Sequence, residues 1–395
     1  MPSDAGPVPT AQRGREAAQP GPETAQPGPE TAQPGPGAAR PLRAILLPSY
    51  AWNPYQRLLA AALREQGVEA AVVSEWPERS PLMGAWQAHG KPDVVHLHWI
   101  HDFLGGSKGR PSRRNVLWFD WQLRLLRSRG ARIVWTVHNL KGHEAGDDPR
   151  EADAHRALIE RADAIILHCH RAREALIELY RPSGAAQARM HVLAHGSYVR
   201  QYDVDADAAS ARQALGLSRA GTVFAFVGAI RGYKGVGELL EAFTASGDLG
   251  PDARLLICGK PLPARIGREL EKHAAADPRI VLRLERIPEE DLSRVLRAAD
   301  VVVLPFRDIL TSGSAILALS HGRPVVVPAL GCLPETLPAD AAIFYDPDDP
   351  DALAGALHRA AGADLAAMGA RARAWADGLD WGPIAAETAR LYRGD

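Results

Sequence analysis

Residues 228–235, which read GAIRGYKG, have the residue types and spacing best suited to holding a diphosphate. An apolar segment ends at Gly228, and Arg231 and Lys234 occupy the turn before a predicted helix. Glycine lets a backbone approach a ligand closely, a helix N-terminus favours negative charge, and cations complement a diphosphate. The alternative is a surface turn with two solvated cations. We favour a phosphate-binding turn with Gly228, Arg231 and Lys234 as its contacts.

A second polar loop follows another apolar segment, at residues 305–316, PFRDILTSGSAI. The hydroxyls of Thr311, Ser312 and Ser314 can cap a helix, and Gly313 leaves the free N–H groups of the helix start exposed. Such a terminus can hold a pyrophosphate without a charged side chain. A capped helix without a ligand is the alternative.

Two further loops are expected at the same edge of a sheet. Gly259 and Lys260 follow the predicted strand 254–258 and are candidates to approach the same ligand. Glu335, in the loop 331–335 (GCLPE), is a candidate to accept hydrogen bonds from ribose or sugar hydroxyls. The alternative for Glu335 is an ordinary solvated loop carboxylate.

Two groups of residues suggest a metal site, but neither has recognisable ligand spacing. His96, His98 and His101 are close in sequence, yet no carboxylate or cysteine joins them at such a spacing. The acidic segment 346–351, DPDDPD, lies between a strand and a helix, and its prolines favour a turn in which aspartates act as caps. We therefore expect no metal ion.

Continuous apolar runs alternate with helical periodicity from Arg43 onwards. Strands are predicted in the first half at 43–48, 68–73, 93–98, 131–137, 163–168 and 190–194. Strands are predicted in the second half at 222–227, 254–258, 280–284, 300–304 and 324–327. Strands that alternate with helices form right-handed βαβ units and parallel sheets, and uninterrupted apolar strands are covered by helices on both faces.

We therefore predict an α/β fold of two doubly wound, Rossmann-like parallel-sheet domains, residues 41–205 and 206–395. Ligands of such sheets bind outside the carboxyl ends of the strands, so a cleft between the domains is the expected site. The last helix is a candidate to pack back on the N-terminal domain. Residues 1–40 form a tail in which AQPGPET repeats over 18–31, and its proline content predicts a disordered spacer.

Composition excludes some classes of function. The formal net charge of the 395-residue chain is -1, which argues against nucleic-acid binding. No apolar run is long enough to span a bilayer and no signal-peptide pattern is present, so we expect a cytoplasmic protein. Cys169, Cys258 and Cys332 are too few and too scattered for a disulfide framework. We predict small core residues in a reducing compartment.

Residues 108–132 are strongly basic and contain Trp118, Phe119 and Trp121. Cations and aromatic rings together suit an anionic membrane surface or a lipid-pyrophosphate acceptor. A core-packed helix with a solvated basic face is the alternative. The segment has one acidic residue, Asp120, and eight basic ones: Lys108, Arg110, Arg113, Arg114, Arg124, Arg127, Arg129 and Arg132.

Residues 43–395 resemble the GT-B glycosyltransferases, in which a G-x-x-R-x-x-K-G turn binds the donor diphosphate and a loop and helix ending in G-x-P-V-V follow. The corresponding segments here are GAIRGYKG (228–235) and ALSHGRPVVVPALGCLPE (318–335). Many retaining members carry two glutamates eight positions apart in the second motif, where this chain has Leu310 and Ala318. The resemblance implies a nucleotide-sugar donor and no metal, and the missing carboxylates count against a retaining mechanism.

Three segments are more similar to the inverting β-mannosyltransferases of exopolysaccharide or lipid-linked oligosaccharide synthesis. They are the TSGS loop, NPYQRLL (53–59) and WTVHNLKGHE (135–144). An inverting transferase needs one base to deprotonate the acceptor hydroxyl. We favour Glu144, then Asp102, whereas His138 is suited to stabilising the departing or incoming oxygen. A solvated carboxylate or a backbone-bonded histidine is the alternative for each.

The leading hypothesis is a glycosyltransferase that moves a hexose, with mannose from GDP-mannose as our first choice, to a glycan or polyprenyl-pyrophosphate-linked acceptor. We predict inversion and a position in the cytoplasm, with peripheral contact at the inner face of the membrane as an option. A nucleotide-sugar epimerase of the same fold and a non-catalytic scaffold in polysaccharide assembly are the alternatives. The arginine and lysine of the phosphate turn count against the scaffold, which has no need of a diphosphate site.

Overall fold

The computed structural model describes residues 40–77, 79–105, 111–142, 148–199, 201–202, 207–218 and 220–395. Pro41–Asp395 form one unit that contains two sheets. The repeat tail and the predicted boundary near residue 205 lie outside the described residues. In the described part of the chain, no helix is long and apolar enough to cross a membrane.

The first sheet has six parallel strands covered by helices. The strands are β1 Leu42–Leu47, β2 Val68–Val72, β3 Val94–Leu97, β4 Arg132–Thr136, β5 Ala164–Leu167 and β6 Met190–Val192. The helices are α1 Tyr55–Glu65, α2 Pro81–Ala88, α3 His101–Leu104, α4 Arg113–Ser128, α5 Pro149–Arg161, α6 His170–Tyr180 and α7 Gly184–Gln187. The strand order is β2-β1-β3-β4-β5-β6, which is the order of a doubly wound sheet.

The sequence of β1 explains why both faces of this sheet are buried. Ala44 and Leu46 point to one face and pack with residues of α1, whereas Ile45 and Leu47 point to the other and pack with residues of α4. Successive side chains of a strand alternate between its faces, so an all-apolar strand needs a layer of helices on each side.

The second sheet is built in the same way. Its strands are β7 Val223–Val227, β8 Arg254–Cys258, β9 Ile280–Arg283, β10 Val301–Val303, β11 Val325–Pro328 and β12 Ala342–Tyr345. The helices are α8 Ala208–Ala214, α9 Val236–Ala245, α10 Ala264–Ala274, α11 Glu289–Ala298, α12 Gly313–Ser320, α13 Leu333–Thr336, α14 Ala352–Ala361, α15 Leu365–Asp377 and α16 Trp381–Arg393. The strand order is β12-β11-β10-β7-β8-β9, and all pairs are parallel.

The last helix, α16, packs against the first sheet, although it follows the second in sequence. Its Ala385, Ala389 and Tyr392 belong to the apolar cluster around β1 and α1. The Tyr392 hydroxyl lies 2.7 Å from Nδ1 of His96, whose Nε2 lies 2.7 Å from Oγ1 of Thr136. This buried chain of hydrogen bonds fixes α16 to the centre of the first sheet.

The predicted α/β class with two doubly wound sheets is confirmed. Helix α2, Pro81–Ala88, was not predicted from the sequence. The turn prediction for the acidic segment 346–351 is also confirmed, because Asp346 and Asp349 side chains accept from the amides of Asp348 and Asp351.

Candidate functional site

The turn after β7 is held against the turn after β8. The Ile230 amide donates to the Lys260 carbonyl at 2.9 Å, and the Leu262 amide donates to the Ile230 carbonyl at 2.8 Å. Gly259 has a φ of +149°, and a Cβ there would lie 1.8 Å from the Gly228 carbonyl oxygen. Only glycine fits such a contact. Gly259 therefore shapes the turn through its backbone, while the side chain of Lys260 is exposed.

Gly228, Lys234 and Ser314 meet at the carboxyl end of β7. A Cβ built on Gly228 would lie 3.6 Å from Nζ of Lys234 and 3.8 Å from Oγ of Ser314. Burial, and then the charge of Arg231, lower the pKa of Lys234 to about 8. A diphosphate at this point would meet an ammonium group, a hydroxyl and an exposed stretch of backbone.

Three residues at the start of α12 make three different contacts. Oγ of Ser312 accepts from the Ala315 amide at 3.1 Å and caps the helix. Thr311 donates to the His138 carbonyl at 3.3 Å and so reaches the first sheet. Gly313 lies beside the Tyr198 hydroxyl. Of the predicted contacts in this loop, Ser314 is the one whose side chain lies within 4 Å of the Cβ position of Gly228.

Asp102 lies in the first turn of α3, which follows β3 of the first sheet. The Tyr50 hydroxyl donates to Oδ2 of Asp102 at 2.7 Å, and Nε2 of His101 lies 3.4 Å from Oδ1. Burial and this hydrogen bond raise the pKa of Tyr50, and the charge of Arg231 opposes the rise. The Asp102 carboxylate is 16% exposed. It is oriented by Tyr50, on which the charge of Arg231 from the second sheet also acts.

His138, the third residue proposed for catalysis, lies in a row of histidines. His98, His138, His168 and His195 come just after β3, β4, β5 and β6 respectively. Their rings surround Tyr55, with ring centres 4.8 to 5.8 Å from its own.

The row is neutral and packed rather than charged. Nε2 of His138 lies 3.0 Å from Nδ1 of His98, and the His138 ring stacks on Trp99 at 4.3 Å. Burial lowers the pKa of His138 well below its usual range and that of His195 to about 3. Among the described residues, no group of three or more His, Cys, Asp or Glu side chains is arranged to hold a metal ion.

Only part of this row was predicted from the sequence. His98 and His138 were candidate site residues, whereas His168 and His195 were not. Each of the four histidines follows one of four consecutive strands, and the ends of parallel strands lie at one edge of their sheet. This pattern was the signal in the sequence from which the full row could have been predicted.

Glu335 has partners on the first sheet. Its Oε1 and Oε2 accept from the amides of His170 and Arg171, at 2.7 and 2.9 Å, at the start of α6. The carboxylate therefore caps a helix of the other sheet, where the sequence analysis expected it to meet ribose or sugar hydroxyls.

The interpretation of the cysteines was wrong for two of the three. Cys169 and Cys332 form a disulfide, although 163 residues separate them in sequence. Both lie in loops at strand ends, one on each sheet, and only the folded arrangement brings them together. The expectation of a reducing compartment assumed that the cysteines are unpaired, so the disulfide removes the support for it. Cys258 is free and buried, as predicted.

Glu144, our first choice of base, lies among residues 143–147, outside the described residues. In the described residues, Gly228, Lys234 and Ser314 meet after β7, and the charge of Arg231 acts on Tyr50, the hydrogen-bond partner of Asp102. These residues belong to the carboxyl ends of two parallel sheets, where doubly wound folds bind ligands.

Comparison with known proteins gives matches of sequence and of fold. Residues 221–362 match the family described as glycosyl transferases group 1. The D-inositol 3-phosphate glycosyltransferase of Corynebacterium glutamicum (strain R) is 27% identical over 318 residues, covering 76% of this chain and 72% of that protein. The GDP-mannose:glycolipid 4-beta-D-mannosyltransferase of Xanthomonas campestris pv. campestris is 29% identical over 241 residues, covering 60% of this chain and 61% of that protein.

A solved structure confirms the architecture. Sucrose-phosphate synthase from Thermosynechococcus elongatus superposes with a TM-score of 0.70 at 21% identity, covering 90% of this chain and 98% of that one. At this identity the similarity concerns the fold.

Proposed function

Because residues 221–362 match the group 1 glycosyltransferases and the fold is that of a solved glycosyltransferase, we propose that the chain is a GT-B enzyme of this family and transfers a hexose from a nucleoside diphosphate sugar to a glycan or lipid-linked acceptor. The observation that carries this proposal is the meeting of Gly228, Lys234 and Ser314, together with the charge of Arg231 that acts on the hydrogen-bonded pair of Tyr50 and Asp102. Cations and a helix start on one sheet suit the leaving diphosphate, and a carboxylate on the other suits the acceptor hydroxyl.

The proposed reaction is a single displacement with inversion. The acceptor hydroxyl gives its proton to Asp102 as its oxygen forms a bond to C1 of the donor sugar. The bond from C1 to the diphosphate oxygen breaks, and the electron pair leaves with the nucleoside diphosphate, whose charge Lys234 and Arg231 stabilise. Tyr50 orients the carboxylate. Neutral His138 is proposed to hydrogen-bond an oxygen of the substrate, and Glu144 remains the other candidate base.

Mannose as the sugar and inversion as the outcome rest on two supporting observations. The Xanthomonas relative is named for GDP-mannose as donor and a 4-beta linkage in its product. GDP-mannose carries an α-linked sugar, so a β product requires inversion. Leu310 and Ala318 occupy the places of the paired glutamates that retaining members carry. The Corynebacterium relative is named for an inositol phosphate, so the acceptor class stays part of the proposal.

A thermal-shift experiment on the full chain with GDP, UDP, ADP and dTDP tests donor binding. A ligand that binds only the folded state stabilises it by about 2.7 kcal/mol at a hundredfold excess over its Kd. We expect GDP to raise the melting temperature, Lys234→Ala to abolish the shift, and Lys272→Ala, an exposed lysine in α10, to preserve it. If no nucleotide shifts the transition, the scaffold hypothesis replaces ours.

Product analysis separates the enzymatic alternatives. We expect GDP-mannose and a polyprenyl-pyrophosphate-linked glycan to give a β-linked product, identified by the anomeric coupling of its NMR signal. An α-linked product would exclude the single displacement. Conversion of the nucleotide sugar to its epimer without an acceptor would establish the epimerase.

A further inference from the structure

Helix α4 buries one face and leaves a large apolar surface on the other. Its Phe119, Leu123 and Leu126 are buried in the core of the first sheet. Leu117, Trp118 and Trp121 are 71%, 39% and 46% exposed. Residues spaced by three or four lie on one face of a helix, so these three side chains form a continuous apolar strip. Exposed apolar side chains on this scale mark interaction sites.

The rings of Trp118 and Trp121 stack on each other. Their ring centres are 4.6 Å apart and their planes differ by 8°. The indole N–H of Trp118 donates to the Arg79 carbonyl at 2.8 Å, so its hydrogen bond is made within the protein. The outward surface of the pair is therefore mainly apolar.

Arginines border this strip at its N-terminal end. Arg113 and Arg114 are exposed and lie one turn before Leu117, and Arg79 is exposed beside Trp118. In the described part of the chain, these three arginines have no acidic partner. Arg124 and Arg127, further along α4, pair with Asp120 and Asp163. Among the arginines of α4 itself, Arg113–Ser128, the two without an ion pair to a described residue therefore lie at the end of the helix next to the tryptophans.

We propose that the α4 patch, formed by Arg79, Arg113, Arg114, Leu117, Trp118 and Trp121, docks the protein on an anionic phospholipid surface. Tryptophan and leucine partition into the boundary between headgroups and acyl chains, and arginines bind the lipid phosphates. Charge argues against a second copy as the partner, because a two-fold contact through the patch would bring identical arginines together. Docking would hold the protein beside lipid-linked molecules.

Vesicle co-sedimentation of the full chain tests the proposal. We expect binding to vesicles of phosphatidylcholine mixed with phosphatidylglycerol, and little binding to phosphatidylcholine alone. Binding should weaken as salt is added, because ions screen the arginines. Arg113→Gln with Arg114→Gln should lower the partition coefficient about fivefold for each arginine removed. Trp118→Ser with Trp121→Ser should abolish binding and the blue shift of tryptophan fluorescence that wild type shows on vesicles.

Matched variants elsewhere control for nonspecific loss. Arg265→Gln with Arg268→Gln removes two exposed arginines from α10, and Leu179→Ser removes an exposed leucine from α6. Both should bind vesicles like wild type. Circular dichroism and the GDP thermal shift, measured on each variant, separate misfolding and donor binding from membrane docking. Unchanged vesicle binding by the folded tryptophan variant, or a wild-type dimer that this variant dissociates, would overturn the proposal.

Discussion

Tyr50 and Asp102 form a hydrogen-bonded pair whose geometry suits a base held in one orientation. The carboxylate accepts from the phenol at 2.7 Å and is largely screened from solvent by its neighbours. Arg231 acts on the same pair from the other sheet. A carboxylate with one oxygen engaged keeps the other for a proton from the acceptor hydroxyl.

Asp102→Asn should lower kcat by about two to four orders of magnitude, because the amide cannot take the proton. Tyr50→Phe should lower kcat less, because the carboxylate keeps its proton-accepting oxygens but loses the hydrogen bond that holds it in one orientation. Steady-state kinetics with GDP-mannose measure both effects, and GDP thermal shifts should stay at the wild-type value. Normal turnover by Asp102→Asn would transfer the role of base to Glu144.

Gly259 and Gly237 offer a matched pair of glycines for testing the phosphate turn. Gly259→Ala places a Cβ 1.8 Å from a backbone oxygen, whereas a Cβ at Gly237 in α9 meets nothing within 4 Å. We expect Gly259→Ala to lower the free energy of unfolding by about 2–3 kcal/mol and to weaken GDP binding. Gly237→Ala should leave both unchanged or raise stability. Denaturant unfolding and calorimetric titration give the two values.

The carboxyl ends of β3 to β6 form an edge at which four neutral histidines surround Tyr55. Their neutrality follows from burial, because a low-dielectric environment disfavours the imidazolium form. A fifth histidine, His96 within β3, is held between Thr136 and Tyr392. Parallel strands place these residues side by side, although up to about forty positions separate neighbours in the chain.

The stability of the protein should fall as the solution is acidified. Burial lowers the pKa of His96 and His195 to about 3 and that of His168 to about 4, whereas an unfolded histidine titrates near 6.5. The contribution of these histidines to the free energy of unfolding is complete above about pH 6.5. It is lost as the pH falls towards about 4, because the unfolded state then binds more protons than the folded state. Each histidine contributes a slope of about 1.4 kcal/mol per pH unit in this window.

Urea unfolding between about pH 7 and about pH 5 measures this dependence. His168→Asn should reduce the slope of the unfolding free energy against pH. His273→Gln, at an exposed histidine of α10, should not change it. A wild-type free energy that stays flat over this range would show that the row is charged or solvated.

At the scale of the whole molecule, contacts of three kinds join the loops of the second sheet to the first. The disulfide Cys169–Cys332 and the bonds from Glu335 to the start of α6 lie within a few residues of each other. Leu310 packs in the apolar cluster of the first sheet. The two halves of the site are therefore held in register by covalent, polar and apolar contacts at once.

Reduction of the disulfide should lower the free energy of unfolding by about 2–5 kcal/mol, because the cross-link restricts a long loop in the unfolded chain. Melting curves with and without dithiothreitol measure the effect. Cys332→Ser should reproduce it without reductant, whereas Cys258→Ser should keep the response to dithiothreitol. Alkylation of all three cysteines in denatured, unreduced protein would contradict the pairing.

The sequence by itself determined the class of fold and predicted a phosphate-binding turn at residues 228–235. Apolar runs and helical periodicity are local patterns, and the turn GAIRGYKG needs only its own residues and the strand before it. The tertiary structure decided what depends on neighbours from distant parts of the chain. It paired Cys169 with Cys332, engaged Glu335 at α6, and gathered His168 and His195 beside His138. Residue types and spacing along the chain do not show which strand ends meet, because that choice is made by the packing of helices between the strands.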